Sequence, residues 1–347
     1  MDAYEILKDL TTTRGVTGDE VPVSHEVERY FRRFTDKISR DPLGNVIGYL
    51  GDHGPMLVVC AHMDEVGMMV TKIMDNGMLR MRMIGGVDAR ILPGMEVVVH
   101  GKREIPAVVG ALPPHLQGGE EPKSYTFDDL YCDTGLTPEH VEALVSVGDH
   151  ITYALVPPVM LKNRRITGKS FDDRALITTE LLAMEMLSGK ELNCRVAFAA
   201  TTEEEVGQRG AFIATAVSEA DIGFAMDVTH APTPGTGPFR TTELNEIAIT
   251  VGNNIHPKLY DWVCDIAKKE GIPYSPHACV GRTGTDAWMM QIQNGGIPVC
   301  LASLPLRYMH TSVETIDLTT LENCARLLAA FILELDAHWE EKLCLDD

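Results

Sequence analysis

The chain of 347 residues predicts an α/β fold, a mixed sheet flanked by helices with a small β-barrel-like insert. Two observations lead there. Short, dense apolar runs alternate with stretches of helical periodicity, the pattern of a buried sheet covered by helices. Between about residues 70 and 165 the pattern changes to short runs separated by Gly and Pro, which suits a small barrel or sandwich. Core-like segments bracket that stretch. The expected organisation is an α/β unit of residues 1–69 and 166–347, with a β-rich insert of 70–165.

The elements follow in order. In "EVPVSHEVERYFRRF" (20–34), Val27, Tyr30, Phe31 and Phe34 share one helical face, and Pro22 and Ser24 break the pattern before it reaches Val23. "MLVVCA" (56–61) reads as a buried strand. Inside the insert "LRMRM" (79–83) alternates, and "MEVVVHG" (95–101), "AVVGAL" (107–112) and "HITYALV" (150–156) read as strands. Residues 175–190 and 256–271 read as helices, each ending near a Gly. "VAFAA" (196–200), "IGFAM" (222–226) and "IPVCLASL" (297–304) read as further buried strands. The last helix, within 319–339, places Leu321, Cys324, Leu327, Leu328, Phe331, Ile332 and Leu335 on one face.

Composition narrows the function. A net charge of −20 points away from nucleic acid and anionic membranes. No apolar stretch is long enough to span a bilayer, and the N-terminus shows no basic region followed by an apolar one, so no signal peptide is expected. The eight cysteines are scattered without a CxxC pair, which argues against a thiolate zinc site. A reduced, cytoplasmic protein is expected.

Chemistry-bearing residues follow the buried runs. "MLVVCA" leads into His62, Asp64 and Glu65; "VAFAA" into Glu203, Glu204 and Glu205; "IGFAM" into Asp227; "IPVCLASL", through "PLRYM", into His310. Asp172 and Asp173 stand just before the helix at 175. Ligands of open α/β sheets sit at the carboxyl ends of strands, where these groups would converge. His62 and Asp64, two residues apart in an extended segment, point to the same side, so one could ligate a metal and the other orient it. Imidazole plus carboxylate without thiolate suits zinc, cobalt or manganese. Each item alone has an ordinary reading: a partly buried histidine, a helix N-cap for the aspartate pair, a solvated face for the glutamates. His115 and His230 are candidates for a pocket, with loop roles favoured. The joint pattern favours a metal site.

"AHMDEVG", "SFDDRA", "TEEEVGQRGA", "AMDVTHAP" and "RYMHTSVE", in that order, resemble the dinuclear tetrahedral aminopeptidases, the glutamyl-aminopeptidase and cellulase-M-like enzymes of metallopeptidase family forty-two. "GVTGDE", "DPLGNVIG", "VVGALPPH" and "GRTGTDA" extend the resemblance over nearly the whole chain. It implies a zinc-peptidase-like α/β domain with an inserted dimerisation domain. It implies two divalent metal ions, zinc or cobalt with manganese as a further option. One would be held by His62 and Asp227 and the other by Glu205 and His310, with Asp172 bridging. Glu204 would be the general base and acid, and Asp64 would orient His62. Glu203 replaces a Gln common in the family, and Val206-Gly207 keeps the register on Glu204 and Glu205. The implied activity is removal of N-terminal residues from peptides by a homo-oligomer, dimers assembling into a dodecamer. An N-acyl amino acid or peptide deacylase on the same site is the alternative. A glycosidase would leave the histidines without a role. The preferred N-terminal residue is set by loops that the sequence does not place.

Overall fold

The computed structural model describes residues 1–116, 124–237 and 241–345. The chain opens with α1 (Ala3–Thr11) and α2 (Val21–Phe31), then β1 (Ile38–Arg40), β2 (Val46–Leu50) and β3 (Met56–His62). It then runs through β4 (Gly67–Ile73), β5 (Leu79–Ile84), β6 (Glu96–His100), β7 (Glu104–Ala111), β8 (Leu130–Asp133), α3 (Pro138–Leu144) and β9 (His150–Tyr153). The short strands β10 (Val159–Met160) and β11 (Arg165–Gly168) lead into α4 (Phe171–Leu187), β12 (Arg195–Thr201), α5 (Arg209–Val217) and β13 (Ile222–His230). The last part comprises β14 (Ile247–Gly252), α6 (Pro257–Lys269), β15 (Tyr274–Cys279), α7 (Ala287–Met290), β16 (Val299–Leu306), β17 (Glu314–Asp317), α8 (Leu318–Glu334) and α9 (Trp339–Lys342).

The main sheet has the order β1-β2-β12-β3-β13-β16-β14-β15. Its four central strands, β12, β3, β13 and β16, pair in parallel. Their carboxyl ends therefore open on one edge, the place where an open α/β sheet leaves a crevice. These strands are buried on both faces, which is why they read as unbroken apolar runs. Helices α1, α2, α4, α6 and α8 cover one face through residues such as Leu7, Val27, Leu181, Val263 and Leu328. On the other face Ala211 and Ala214 of α5 and Met290 of α7 pack on Val58, Cys60 and Ala199.

Strands β4-β5-β8-β7-β6-β9 close into a barrel, β9 pairing with β4. Its interior is filled by alternate residues, among them Met68, Val70, Leu79, Met81, Val97, Val99 and Ile151. The mixed sheet, flanking helices and barrel match the fold class expected from the sequence. The barrel begins at Gly67, ahead of the expected start at 70.

Some elements differ from expectation for local reasons. α2 extends back to Val21 because Pro22 stands in its first turn, where no N–H partner is needed, and Val23 is fully buried. α4 is bounded at Phe171, yet the backbone of Asp172 (ψ 100°) and Asp173 (ψ 23°) is not helical, so the regular helix follows the aspartate pair as the sequence suggests. α1 and α5 had no clear signal. α1 has only nine residues, and α5 contacts the sheet through Gly210, Ala211 and Ala214, which contrast little with its other side. Gly210 cannot be replaced cheaply there, since a Cβ would stand 2.3 Å from the Thr202 carbonyl oxygen. Among the described residues no helix is long and apolar enough to cross a membrane.

One ionic group ties the sheet edge to α1 and α4. Glu65 is buried and accepts hydrogen bonds from Arg174 at 3.0 Å, from the Gly15 amide at 3.2 Å, and from Lys169 and Ser170. Arg174, itself fully buried, also donates to the carbonyls of Leu10, Thr13 and Met63. Burial works against the Glu65 charge, but Arg174 and Lys169 overcome it and hold the carboxyl down at about 2. At Lys169 burial outweighs Glu65 and lowers the ammonium to about 8. The two shifts weigh the pair differently because Glu65 faces two cations, whereas Lys169 faces one carboxylate and the repelling Arg174. Both groups are charged at neutral pH. Removing the anion alone would leave two buried cations, so Glu65→Gln should cost on the order of 3–5 kcal/mol in denaturant unfolding at neutral pH. Because the folded Glu65 pKa lies below its ordinary 4.5, this contribution is complete above that pH and fades as pH falls towards about 2. The gap between variant and wild type should shrink over the same range. A neutral-pH cost below about 1 kcal/mol would contradict the assignment.

Candidate metal centre

His62 ends β3, and the chain turns at once into Met63, Asp64 and Glu65. Its Nδ1 donates to the Asp64 carbonyl at 3.1 Å, which leaves Nε2 aimed at Asp172 Oδ1, 3.0 Å away. His310 follows β16 in a left-handed conformation, φ 63°. Its Nδ1 donates to the Gly86 carbonyl at 3.2 Å, and its Nε2 lies 3.2 Å from Asp172 Oδ2. Asp172 thus presents one oxygen to each imidazole. Gly86 is set by this packing, since a Cβ there would meet His310 Nδ1 at 2.5 Å. The barrel therefore helps to orient a histidine of the main sheet edge, and Tyr153 adds a hydrogen bond to the His310 carbonyl at 3.1 Å.

The glutamates come from the turn after β12. The Asp64 carboxylate accepts the amides of Glu204 (3.1 Å) and Glu205 (3.3 Å) and the Thr17 hydroxyl (2.7 Å). Glu205 Oε1 lies 3.4 Å from His310 Nε2 but makes no hydrogen bond, although it is buried. Glu204 is held by Gln208, whose amide donates to Oε1 at 2.9 Å. Glu203, at φ 53°, turns out of the cluster and pairs with Arg209 at 3.1 Å. It is partly exposed as well as ion-paired. Asp227 lies within β13, which runs on to His230, so it projects from the strand rather than following its end.

Two groups of ligand-type atoms lie within 4.8 Å of one another: His62, Asp172 and Glu205, and His62, Asp173 and Asp227. All six residues selected as ligands or base, and Asp64 beneath them, come to one place. Asp173 was not selected. It accepts the His62 amide through Oδ2 at 3.2 Å, and its buried Oδ1 has no partner. Glu314 was also missed. Its buried carboxylate accepts the amides of Phe171 (2.7 Å), Asp172 (3.2 Å) and His310 (2.8 Å), and so ties together two of the loops that carry the site. Its spacing of four residues from His310 in "RYMHTSVE" was the only signal. His230, a pocket candidate for which the sequence favours a loop role, lines the same cavity of about 580 Å³ as the cluster. His115 lies in a short exposed turn elsewhere. A larger cavity beside Leu43, Phe212 and Ile292 is mainly apolar and has no such cluster.

Electrostatics explains the geometry. Burial works against the Asp172 charge, but His310 and His62 overcome it and hold the carboxyl well below the usual range. Burial would lower both imidazoles, but Asp172 and its neighbours raise His62 strongly and His310 to about 9. Burial pushes Glu205, Asp227 and Asp173 well above the carboxylate range and Glu204 to about 8, with neighbouring carboxylates adding to it. The cluster therefore has acids that burial and repulsion keep from ionising together, and two imidazoles aimed at one carboxylate. A proton on each Nε2 and a divalent cation compete for the same place. An oxygen- and nitrogen-rich donor set with an unpartnered Glu205 oxygen fits such cations. Five of the nine described non-glycine residues with positive φ, namely Ser170, Glu203, Gln208, Tyr308 and His310, surround the cluster. Each such conformation costs on the order of 1 kcal/mol or more and marks a site held in place by its surroundings.

Fold and cluster together define a metal-dependent hydrolase of the α/β peptidase kind. A model of the M42 glutamyl aminopeptidase family matches residues 44–327, and the chain belongs to that family. It is 33% identical to a lysyl aminopeptidase of Pyrococcus furiosus over 96% of this chain and 97% of that protein. The structure superposes on a TET aminopeptidase from a marine sediment Thaumarchaeota archaeon with a TM-score of 0.94, at 29% identity and 99% coverage of both chains. It is also similar to the TET1 peptidase of Pyrococcus horikoshii, with a TM-score of 0.86, 31% identity, and coverage of 96% of this chain and all of that one. The protein is a metal-dependent aminopeptidase.

Proposed function

We propose that the cluster is a dinuclear centre in which His62 and Asp227 hold one divalent ion, Glu205 and His310 hold a second, and Asp172 bridges them. The single observation that carries this reading is the split of Asp172, one oxygen towards each histidine. Zinc or cobalt suits the donors, with manganese a further option. When bound, the pair would lower the pKa of water and stabilise negative charge developing on the substrate carbonyl oxygen. Asp64 holds the Glu204–Glu205 turn by accepting both amides, and Nδ1 of each histidine stays committed to a carbonyl, which keeps each Nε2 for the site. Glu204, with Oε1 held by Gln208, takes a proton from the attacking water on Oε2 and returns it to the leaving amine. Asp173, beside Asp227, is the alternative carboxylate at the first position.

The three glutamates should separate in one experiment. Glu204→Gln should retain metal and fold but lose turnover by about a hundredfold or more. Glu205→Gln should weaken one metal position, with turnover partly recovered by added metal. Glu203→Gln should change little, because its partner is the exposed Arg209. Turnover on aminoacyl-coumarins, with zinc, cobalt and manganese supplied separately, and metal content for each variant decide it. An inactive Glu203→Gln with metal intact would overturn both assignments.

We further take residues 70–165 as the dimerisation unit of a peptide-cleaving homo-oligomer. The barrel carries exposed Met83, Val108 and Leu112, which supports association through its outer surface. The Pyrococcus horikoshii relative assembles into a tetrahedron or a large octahedral shell, and a dodecamer built from dimers is the form proposed here. Light scattering at micromolar concentration should show a species larger than a dimer. A monomer would contradict both steps, and a stable dimer only the second.

A further inference from the structure

The cavity wall beyond the carboxylate cluster carries charge of one sign. Among the described residues that line it, leaving aside the proposed ligands and Glu204, the ionisable groups are His230, His277, Cys279 and Arg282, with no further carboxylate. In a chain with 50 acidic and 30 basic residues this is not the expected wall. Arg282 makes no ion pair among the described residues. Its guanidinium lies 5.3 Å from the centroid of the Trp288 ring, a cation–π contact that steadies the side chain and leaves its N–H donors free. Burial and the neighbouring His230 lower His277, so its ring is neutral at pH 7 and available as a hydrogen-bonding group.

We propose that Arg282, with His230 and His277 beside it, binds a carboxylate of the substrate peptide. The inference rests on the aminopeptidase reading of the same cavity. A lysine-like ammonium would find no counter-charge on this wall. An apolar side chain would cover a guanidinium without satisfying it, which is unfavourable. A carboxylate matches the fork of an arginine in two parallel hydrogen bonds. Two sources offer it: the side chain of an acidic N-terminal residue, or the terminal carboxylate of a dipeptide.

Four substrates distinguish these sources with the metal-loaded enzyme. Glutamyl- and leucyl-coumarin amides differ in the side-chain carboxylate, and Leu-Gly and its C-terminal amide differ in the terminal one. The wild type should favour the carboxylate-bearing member of one pair in kcat/KM. Arg282→Gln should lower that ratio by about tenfold or more, the size expected for a hydrogen bond between charged groups. The pair that responds names the source. Ratios within about twofold of wild type in both pairs overturn the proposal, and so does an equal loss across all four substrates, which would make Arg282 a support of the site as a whole. If the wild type cleaves none of the four with any metal, the assignment of the cavity itself fails and takes this inference with it. Peptide cleavage with unresponsive ratios defeats only the role of Arg282.

Discussion

Carboxylates crowd the edge of the main sheet in a space that water barely reaches. Asp172, Asp173, Glu204, Asp227 and Glu314 are buried, and Glu205 is largely so. Two like charges 4 Å apart repel by about 4 kcal/mol at the effective dielectric of a protein site. A few such pairs would rival the whole stability of a domain. The structure answers by aiming two imidazoles at Asp172, and burial with mutual repulsion raises the other acids, which keeps them protonated while no cation is bound. Divalent cations, in the reading proposed above, would take the place of those protons and let the acids ionise. Family membership and the donor set thus point to the same occupants.

A second layer makes the crowding useful. Asp64 collects the amides of Glu204 and Glu205, and Glu314 collects those of Phe171, Asp172 and His310. The donors they gather belong to three loops that are far apart in sequence. Behind them, Glu65 with Lys169 and Arg174 fastens the turn after β3 to α1 and the start of α4. The barrel enters through Gly86 and Tyr153, both on His310. An oligomer contact on the barrel would therefore lie one element away from a histidine of the proposed metal centre.

Much of this was legible in the sequence, and what was not has physical causes. The central strands showed as apolar runs because both faces are covered, and the reactive residues showed because they follow those runs. The β-rich insert showed through its change of period. α1 and α5 escaped, being short or nearly uniform in polarity. The glutamate roles came from the resemblance, and Glu203 turns away from the cluster through a left-handed conformation, to an ion pair with Arg209 that the sequence did not indicate. Glu314, Glu65 and Asp173 escaped because their significance lies in long-range hydrogen bonds to backbone and buried cations, which leave no periodic trace. His230 and Arg282 gain meaning only once the loops around the cavity are placed.

The central claim, that one carboxylate bridges two cations at this sheet edge, is tested most directly by diffraction from crystals grown with zinc and recorded on either side of its absorption edge. The account predicts two anomalous peaks roughly 3.5–4 Å apart, one against His62 and Asp227 and the other against Glu205 and His310, with Asp172 between them. A single peak, or a pair whose nearest carboxylates exclude Asp172, would contradict it.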